Sequence, residues 1–238
     1  MSSTHVLRHA QPADAAPSQT ISEKAYKLLR TDIIAGRLAP GEKLRLQSLQ
    51  ARYELGVSPI REALMLLCGD ELVTNEGQRG FSVAPLSKSD LLDLTNARVS
   101  IELLLLADSI AHGDDDWGAN ITAAYYKLTK ARLPSDASDV ATVELWESAH
   151  RRFHLSLVAA ATSKWLLRMD EQLVDHSERY RRIRLAYPRS AKKLADDVLR
   201  EHYDLMEAVL DRDTAKASAL LRQHLTGTVE ALLKRFGE

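Results

Sequence analysis

Residues 150–154 read HRRFH, two histidines one helical turn apart on a stretch of helical periodicity. At i and i+4 both imidazoles leave the same face of one helix, a spacing at which two side chains can share one cation. His202 and His224 stand in two later amphipathic stretches. All four histidines, His150, His154, His202 and His224, have apolar neighbours at helical spacing: Phe153, Leu157, Leu205, Met206, Val209, Leu221 and Leu225. A single inward histidine is ordinarily a hydrogen-bonded core group. Four of them, two one turn apart and two on separate helices, change that balance: imidazole suits zinc, nickel, copper or iron, and suits magnesium or calcium poorly. A hydrolytic centre does not fit. In the zincin motif HExxH the glutamate beside the first histidine is the general base; here that residue is Arg151, a cation that cannot accept a proton from metal-bound water. Glu147, one turn earlier, need not face the metal. No catalytic residue is expected, and the chain is read as a binding protein rather than an enzyme.

The elements that must carry these histidines are all helical. LSKSDLLDLTNARVSIELLLLADSIAHG opens on Ser87 with Asp90 as a capping box and runs as a long apolar stripe to Gly113. Five further amphipathic stretches follow, with breaks at 113–116, 134–139, 162–163, 186–190 and 211–213, where Gly, Pro, Ser and Asp collect. Six helices of about 20 residues joined by short loops predict an antiparallel bundle over 87–238. Residues 20–86 are punctuated differently. Thr20 and Glu23 form a capping box, and TISEKAYKLLRTDIIAG closes on Gly36 as a helix with a glycine C-cap. LAPGEKL reads as a turn, and RLQSLQARYE as a short helix ended by Gly56. Ser58 and Pro59 read as N-cap and first residue of a third helix. VTNEGQRGFSV then suggests a hairpin. Helix, helix, helix, hairpin is the order of a winged helix-turn-helix. The fold class expected is mostly α: an N-terminal winged helix-turn-helix at 20–86, an all-α bundle at 87–238, and a disordered tail at 1–19.

Composition narrows the setting without naming a partner. Splitting the chain after Leu86 gives 10 Lys+Arg against 9 Asp+Glu, then 22 against 24, so nucleic-acid binding must be argued from local placement and not from bulk charge. Cys68 is the only cysteine, which excludes an internal disulfide and suggests a reducing, cytoplasmic home. IELLLLADSI is interrupted by Glu102 and Asp108, and no apolar run reaches the roughly 18 residues that a membrane span needs.

LAPGEKL, LQARYELGVSPIREAL and LVTNEGQRGFSV together resemble the winged-helix domain of GntR-family bacterial repressors. NARVSIE, RFHLSLVAAATSKWLL and REHYDLMEAVLDRDTAKASALLRQHL resemble the all-helical FCD ligand-binding domain of that family's FadR-type branch. The likeness runs from residue 20 to 233 in the family's order. It implies a regulator that binds double-stranded operator DNA as a homodimer. The recognition helix would enter the major groove with Ser58, Pro59 and Arg61 at its leading end, arginine being suited to guanine O6 and N7. Ser58 and the amides around it would meet a phosphate. Arg79 and Gly80 at the hairpin tip would reach the backbone or the minor groove, and Arg45, at the start of the second helix, would contact a phosphate. Many relatives carry an arginine four positions before Arg61, where this chain has Val57, so base readout is expected to differ.

In metal-bearing FCD domains His154, His202 and His224 match ligand positions, whereas the position of His150 commonly holds aspartate. An all-imidazole site leaves the cation its full charge and favours an anionic ligand. The resemblance therefore implies a small carboxylate effector, a dicarboxylate such as glutarate, anchored on the metal and clamped by arginine. Arg98 is the first candidate because the family often uses this arginine. Arg179, in the charge run RYRRIR, is the second, although such runs ordinarily form a solvated face. Tyr180 and His176 stay open. The long helix after Ser87 would carry movement to the DNA heads. Two other readings remain: a regulator for which the metal itself is the signal, and a metal-dependent enzyme on a helical scaffold.

Overall fold

The computed structural model describes residues 20–134, 139–185 and 191–233; the expected tail at 1–19 and the break at 186–190 lie outside them. Helix α1 (Ile21–Ile34) starts at the expected capping box: the Thr20 hydroxyl accepts from the Glu23 amide, and the Glu23 carboxylate accepts from the Thr20 amide. It buries Ala25, Leu29 and Ile33 and ends at Gly36, whose φ of +73° is a left-handed turn that suits glycine. Helices α2 (Leu46–Tyr53) and α3 (Val57–Gly69) follow. Strands β2 (Val73–Asn75) and β3 (Phe81–Val83) are the predicted hairpin.

Three local readings are corrected. LAPGEKL is more than a turn, because Lys43–Leu44 form a strand β1 that pairs antiparallel with β3, giving the order β1-β3-β2. Two residues are too few to show an alternation, yet Leu44 is buried and Lys43 exposed. Helix α2 ends at a left-handed Glu54 (φ 56°), not at a glycine. Gly56 is instead the N-cap of α3, so Ser58 and Pro59 fall within its first turn. Proline is tolerated there because first-turn amides have no helical acceptor in any case.

The head is knit by one apolar cluster that includes Leu29, Ile33, Leu49, Ile60, Leu64, Leu67 and Val83. Beside it Asp32, on α1, ties three segments together: it accepts from Tyr53 Oη and Arg52 Nη2 at 2.6 Å each and from Arg37 Nε at 2.7 Å.

Six helices make the second part: α4 (Lys88–His112), α5 (Asp115–Lys130), α6 (Val140–Leu157), α7 (Lys164–Leu185), α8 (Ala191–Leu210) and α9 (Thr214–Leu233). Helix α4 packs on α7 and α9, α5 on α6 and α8, and α8 on α9. Trp117, Ile121, Leu128, Phe153, Leu157, Leu205, Val209 and Leu221 share its core. The cap at Ser87 is half of the predicted box: its hydroxyl accepts from the Asp90 amide at 3.1 Å, but the Ser87 amide donates to Tyr180 Oη at 3.1 Å. No helix among the described residues is long and apolar enough to cross a membrane.

Burial alone would raise the Asp32 pKa, but hydrogen bonds from Tyr53 and Arg37 and the charges of Arg37 and Arg52 hold it below its usual value. A lowered carboxylate stabilises the fold above about pH 4 and loses that contribution as pH falls further. Replacing Asp32 by alanine is expected to cost the head roughly 2–3 kcal/mol, the scale of hydrogen bonds to a charged group. All three tryptophans, Trp117, Trp146 and Trp165, lie beyond residue 86. The Asp32→Ala urea transition should therefore shift by far-UV circular dichroism and hold still by tryptophan fluorescence.

Candidate metal centre and nucleic-acid interface

Helix α6 presents Glu147, His150 and His154 on one buried face, while α8 brings His202 and α9 brings His224 to the same point. Each of the four histidines offers one nitrogen, and these atoms all lie within 4.8 Å of one another. His154 Nε2 and His202 Nε2 are 3.3 Å apart. Two nitrogens bound to one zinc at about 2.05 Å and a tetrahedral angle would stand about 3.3–3.4 Å apart. His202 Nδ1 donates to the Val198 carbonyl at 2.6 Å, which fixes its tautomer and leaves Nε2 with a free lone pair. His224 Nδ1 lies 3.0 Å from a carboxylate oxygen of Glu201. His150 stacks on Trp146 with centroids 4.7 Å apart.

Two properties of this set suit a metal. Burial, reinforced by the neighbouring imidazoles, holds His150 and His154 well below the usual histidine range and brings His202 down to about 3. These rings are therefore neutral at pH 7, the form that coordinates. In addition, Nδ1 of His150 and Nδ1 of His154 are buried without a hydrogen-bond partner. Such atoms ordinarily have one, a need that an ion or an ordered water would meet. For His154 that atom is the ring nitrogen other than the Nε2 that meets His202, so the orphan that bears on the centre is that of His150. The residues fit a divalent cation.

His150, His154 and His224 line a cavity with Arg98 and Arg181, closed by Leu91, Thr95, Ser177 and Tyr180. Its volume is about 20 Å³. Arg98, the first arginine expected, reaches it and pairs with Glu102 through Nη2 at 2.6 Å. Arg179 does not reach it; its guanidinium donates to the Ala84 carbonyl in the segment joining head and bundle. The guanidinium that this run does send into the cavity is Arg181, paired at 2.9 Å with a buried Glu147. The expectation that RYRRIR forms a solvated face fails for its first half, because α7 is packed on α4, α6, α9 and α1 and buries Arg179, Tyr180 and Arg181. No local signal marks Arg181 as inward, because the residues one turn before it, Ser177 and Glu178, are polar as well. Of the two residues left open, Tyr180 lines the cavity, while His176 Nε2 meets the Asp70 carbonyl at 2.9 Å.

In the head, Arg45, Arg61, Arg79 and Gly80 line one open groove of about 730 Å³ between α3 and the sheet. Lys43 and Gln47 line it too, neither of them expected from the sequence; Lys43 is outward because Leu44, the next residue of the same strand, is inward. Arg45, Arg61 and Arg79 are exposed. Gly80 adopts φ 81°, ψ −156°, a conformation essentially confined to glycine, so its identity is explained by the turn itself. Ser58 is exposed and Pro59 half-buried in the first turn of α3, where no side chain caps the helix.

A three-helix, winged head with a cationic groove, joined to a helical bundle with a buried histidine centre, defines a class of transcriptional regulator. The chain belongs to the GntR family of bacterial regulatory proteins: that family's model matches residues 21–83 and the FCD domain model matches residues 93–227. It is 43% identical to the HTH-type transcriptional repressor GlaR of Escherichia coli (strain K12), over 84% of this chain and 90% of that protein. It is 35% identical to the HTH-type transcriptional regulator BphR of Paraburkholderia xenovorans (strain LB400), over 96% of this chain and 91% of the relative. Among solved structures, E. coli McbR/YncC superposes with a TM-score of 0.76 at 19% identity, covering 91% of this chain and 99% of that one. These relatives are named as regulators, in agreement with the expectation that the chain is not an enzyme.

Replacing Glu147 by alanine would leave the Arg181 guanidinium buried and unpaired. Breaking such a pair is expected to cost about 3–5 kcal/mol. The loss should appear as a lower melting temperature followed by tryptophan fluorescence, since Trp146 adjoins the site.

Proposed function

We propose that this regulator is a homodimeric repressor that binds operator DNA through the cationic groove of its head, acts in the cytoplasm, and releases DNA when a small organic acid enters the cavity beside a metal held by His150, His154, His202 and His224. The observation that carries this reading is the convergence of four imidazoles on one point, three of which, His150, His154 and His224, line a cavity together with the guanidiniums of Arg98 and Arg181. A bound divalent ion, zinc or nickel, would supply a fixed positive charge and an open coordination position for a carboxylate oxygen. The chain's own residues supply the rest. Arg98 and Arg181 are each held by an internal carboxylate, Glu102 and Glu147. An incoming carboxylate has to compete with these for the guanidiniums, and a dicarboxylate such as glutarate can engage a guanidinium at one end with its other end on the ion.

The cavity volume of about 20 Å³ suits a water or an ion. Accommodating an organic acid therefore requires α4, α7 or α9 to shift, and a ligand that fits only the shifted arrangement is what changes a population. The same small volume favours a second reading, in which the metal alone is the signal.

In the head, Arg61 is assigned to a base edge, and Arg45, Ser58, Pro59, Arg79 and Gly80 to the phosphate backbone. A dimer reads two half-sites, which multiplies the affinity of one small head.

Two measurements test these assignments. Elemental analysis of protein purified without an affinity tag should find about one zinc or nickel per chain, and His154→Ala should remove it. A stoichiometry near zero that persists after reconstitution would sink the metal-anchored effector. For DNA, a duplex selected from a random pool by the wild type serves as probe. Arg61→Ala is expected to cost about 1–3 kcal/mol and relax preference at one position. Arg79→Ala should weaken all duplexes alike and flatten the salt dependence by about one charge. Unchanged selectivity in Arg61→Ala would remove that residue from base readout.

A further inference from the structure

The seam between head and bundle is polar, and much of it is gathered on two consecutive residues of α7. Asp175, with only 6% of its side chain exposed, accepts from two arginines at once: Arg30 on α1 of the head, and Arg151 on α6, the residue next to His150. His176 lies 2.9 Å from the carbonyl of Asp70, the C-cap of the recognition helix α3. The Asp70 carboxylate in turn accepts from Tyr26 Oη of α1 at 2.6 Å. Ser177, Tyr180 and Arg181, on the same stretch of α7, line the cavity beside the histidines.

We propose that Asp175 is a positioning residue that carries the state of the histidine centre to the DNA-binding head, by way of Arg151 on one side and Arg30 on the other. This rests on the reading that the histidines hold a metal. Arg151 is fixed to α6 between His150 and His154, so a movement that draws those imidazoles together moves Arg151 with them. A buried carboxylate left by one of its guanidiniums is strongly penalised. Asp175 must follow, and Arg30 and α1 must follow Asp175 or give up the pair. His176 ties the same turn of α7 to the end of α3, so the recognition helix is repositioned together with α1. A second ion pair across the seam, Arg37–Glu144 at 2.8 Å, has both side chains more than a third exposed (37% and 39%) and is screened by solvent. It is a weaker conductor of the same movement.

Hydrogen–deuterium exchange on the full chain, with zinc alone as the probe, tests this. In the wild type, zinc should slow exchange in α6 and α8, and should alter exchange in residues 21–34 and 66–72 by about fivefold, the low end of typical coupling between two sites. Arg151→Gln and Asp175→Asn should keep the response of α6 and α8 and the zinc stoichiometry while losing the response of the head. Asp175→Glu should recover it in part, and Glu144→Gln should leave it intact. Arg151→Gln keeps the Arg30–Asp175 pair and carries the test if Asp175→Asn does not fold. A head that ignores zinc in the wild type, or still responds in both Arg151→Gln and Asp175→Asn, overturns the proposal and leaves the metal reading standing. No response in α6 or α8 removes the metal reading, and the proposal with it.

Discussion

Helix α7 buries Asp170, Asp175, Glu178, Arg179 and Arg181, and a charge taken out of water must find its partner where it lies. Much of the architecture answers that demand. Asp175 is met by Arg30 and Arg151, Arg179 by the Ala84 carbonyl, Arg181 by Glu147, and Glu178 by Arg182. These partners come from the head, the joining segment, α6 and α7 itself. One helix thus helps set both the orientation of the head and the lining of the cavity, through ion pairs and one hydrogen bond to the main chain. Asp170 is the exception: its Oδ1 has no hydrogen-bond partner, and burial, with the nearby charge of Glu102, lifts its carboxyl to about 7.

The histidine centre follows from a complementary constraint. Imidazoles are the titratable groups that can be packed in number at little cost, because they become neutral on burial. Three of the four are held in place by ordinary means: His150 stacks on Trp146, His202 donates to a carbonyl one turn back, and His224 rests on Glu201. His154 packs edge-on against Phe153, with ring centroids 5.6 Å apart. The donor set is therefore organised by the bundle's own packing.

Much of this was legible in the sequence. The capping residues Thr20, Glu23 and Ser87, the closing Gly36 and the helical spacing of the apolar residues gave the element order, and inward histidines on three helices gave the centre. Legibility failed where tertiary packing overrode local pattern. RYRRIR has the composition of a surface run, and only its place among α1, α4, α6 and α9 buries Arg179, Tyr180 and Arg181, so Arg179 and Arg181 could not be told apart by chemistry alone. The strand at Lys43–Leu44 was too short to show a period, and its pairing with β3 is a long-range fact. At the start of α3, Gly56 precedes two residues with the same preference for helix beginnings, Ser58 and Pro59, and the backbone chose the glycine.

The apolar cluster of the head shares no residue with those of the bundle, and the ties between the two described above are ion pairs and hydrogen bonds. The consequence is modularity. A head exchanged for that of a relative would keep its own core, because none of that core is borrowed from the bundle. It would not automatically keep its posture. For that the newcomer needs an arginine at the place of Arg30, a helix end that offers a carbonyl where Asp70 does, and a backbone carbonyl at the place of Ala84. Two of these three requirements are met by main-chain oxygens, which any sequence provides, so the specificity of the graft rests largely on one side chain.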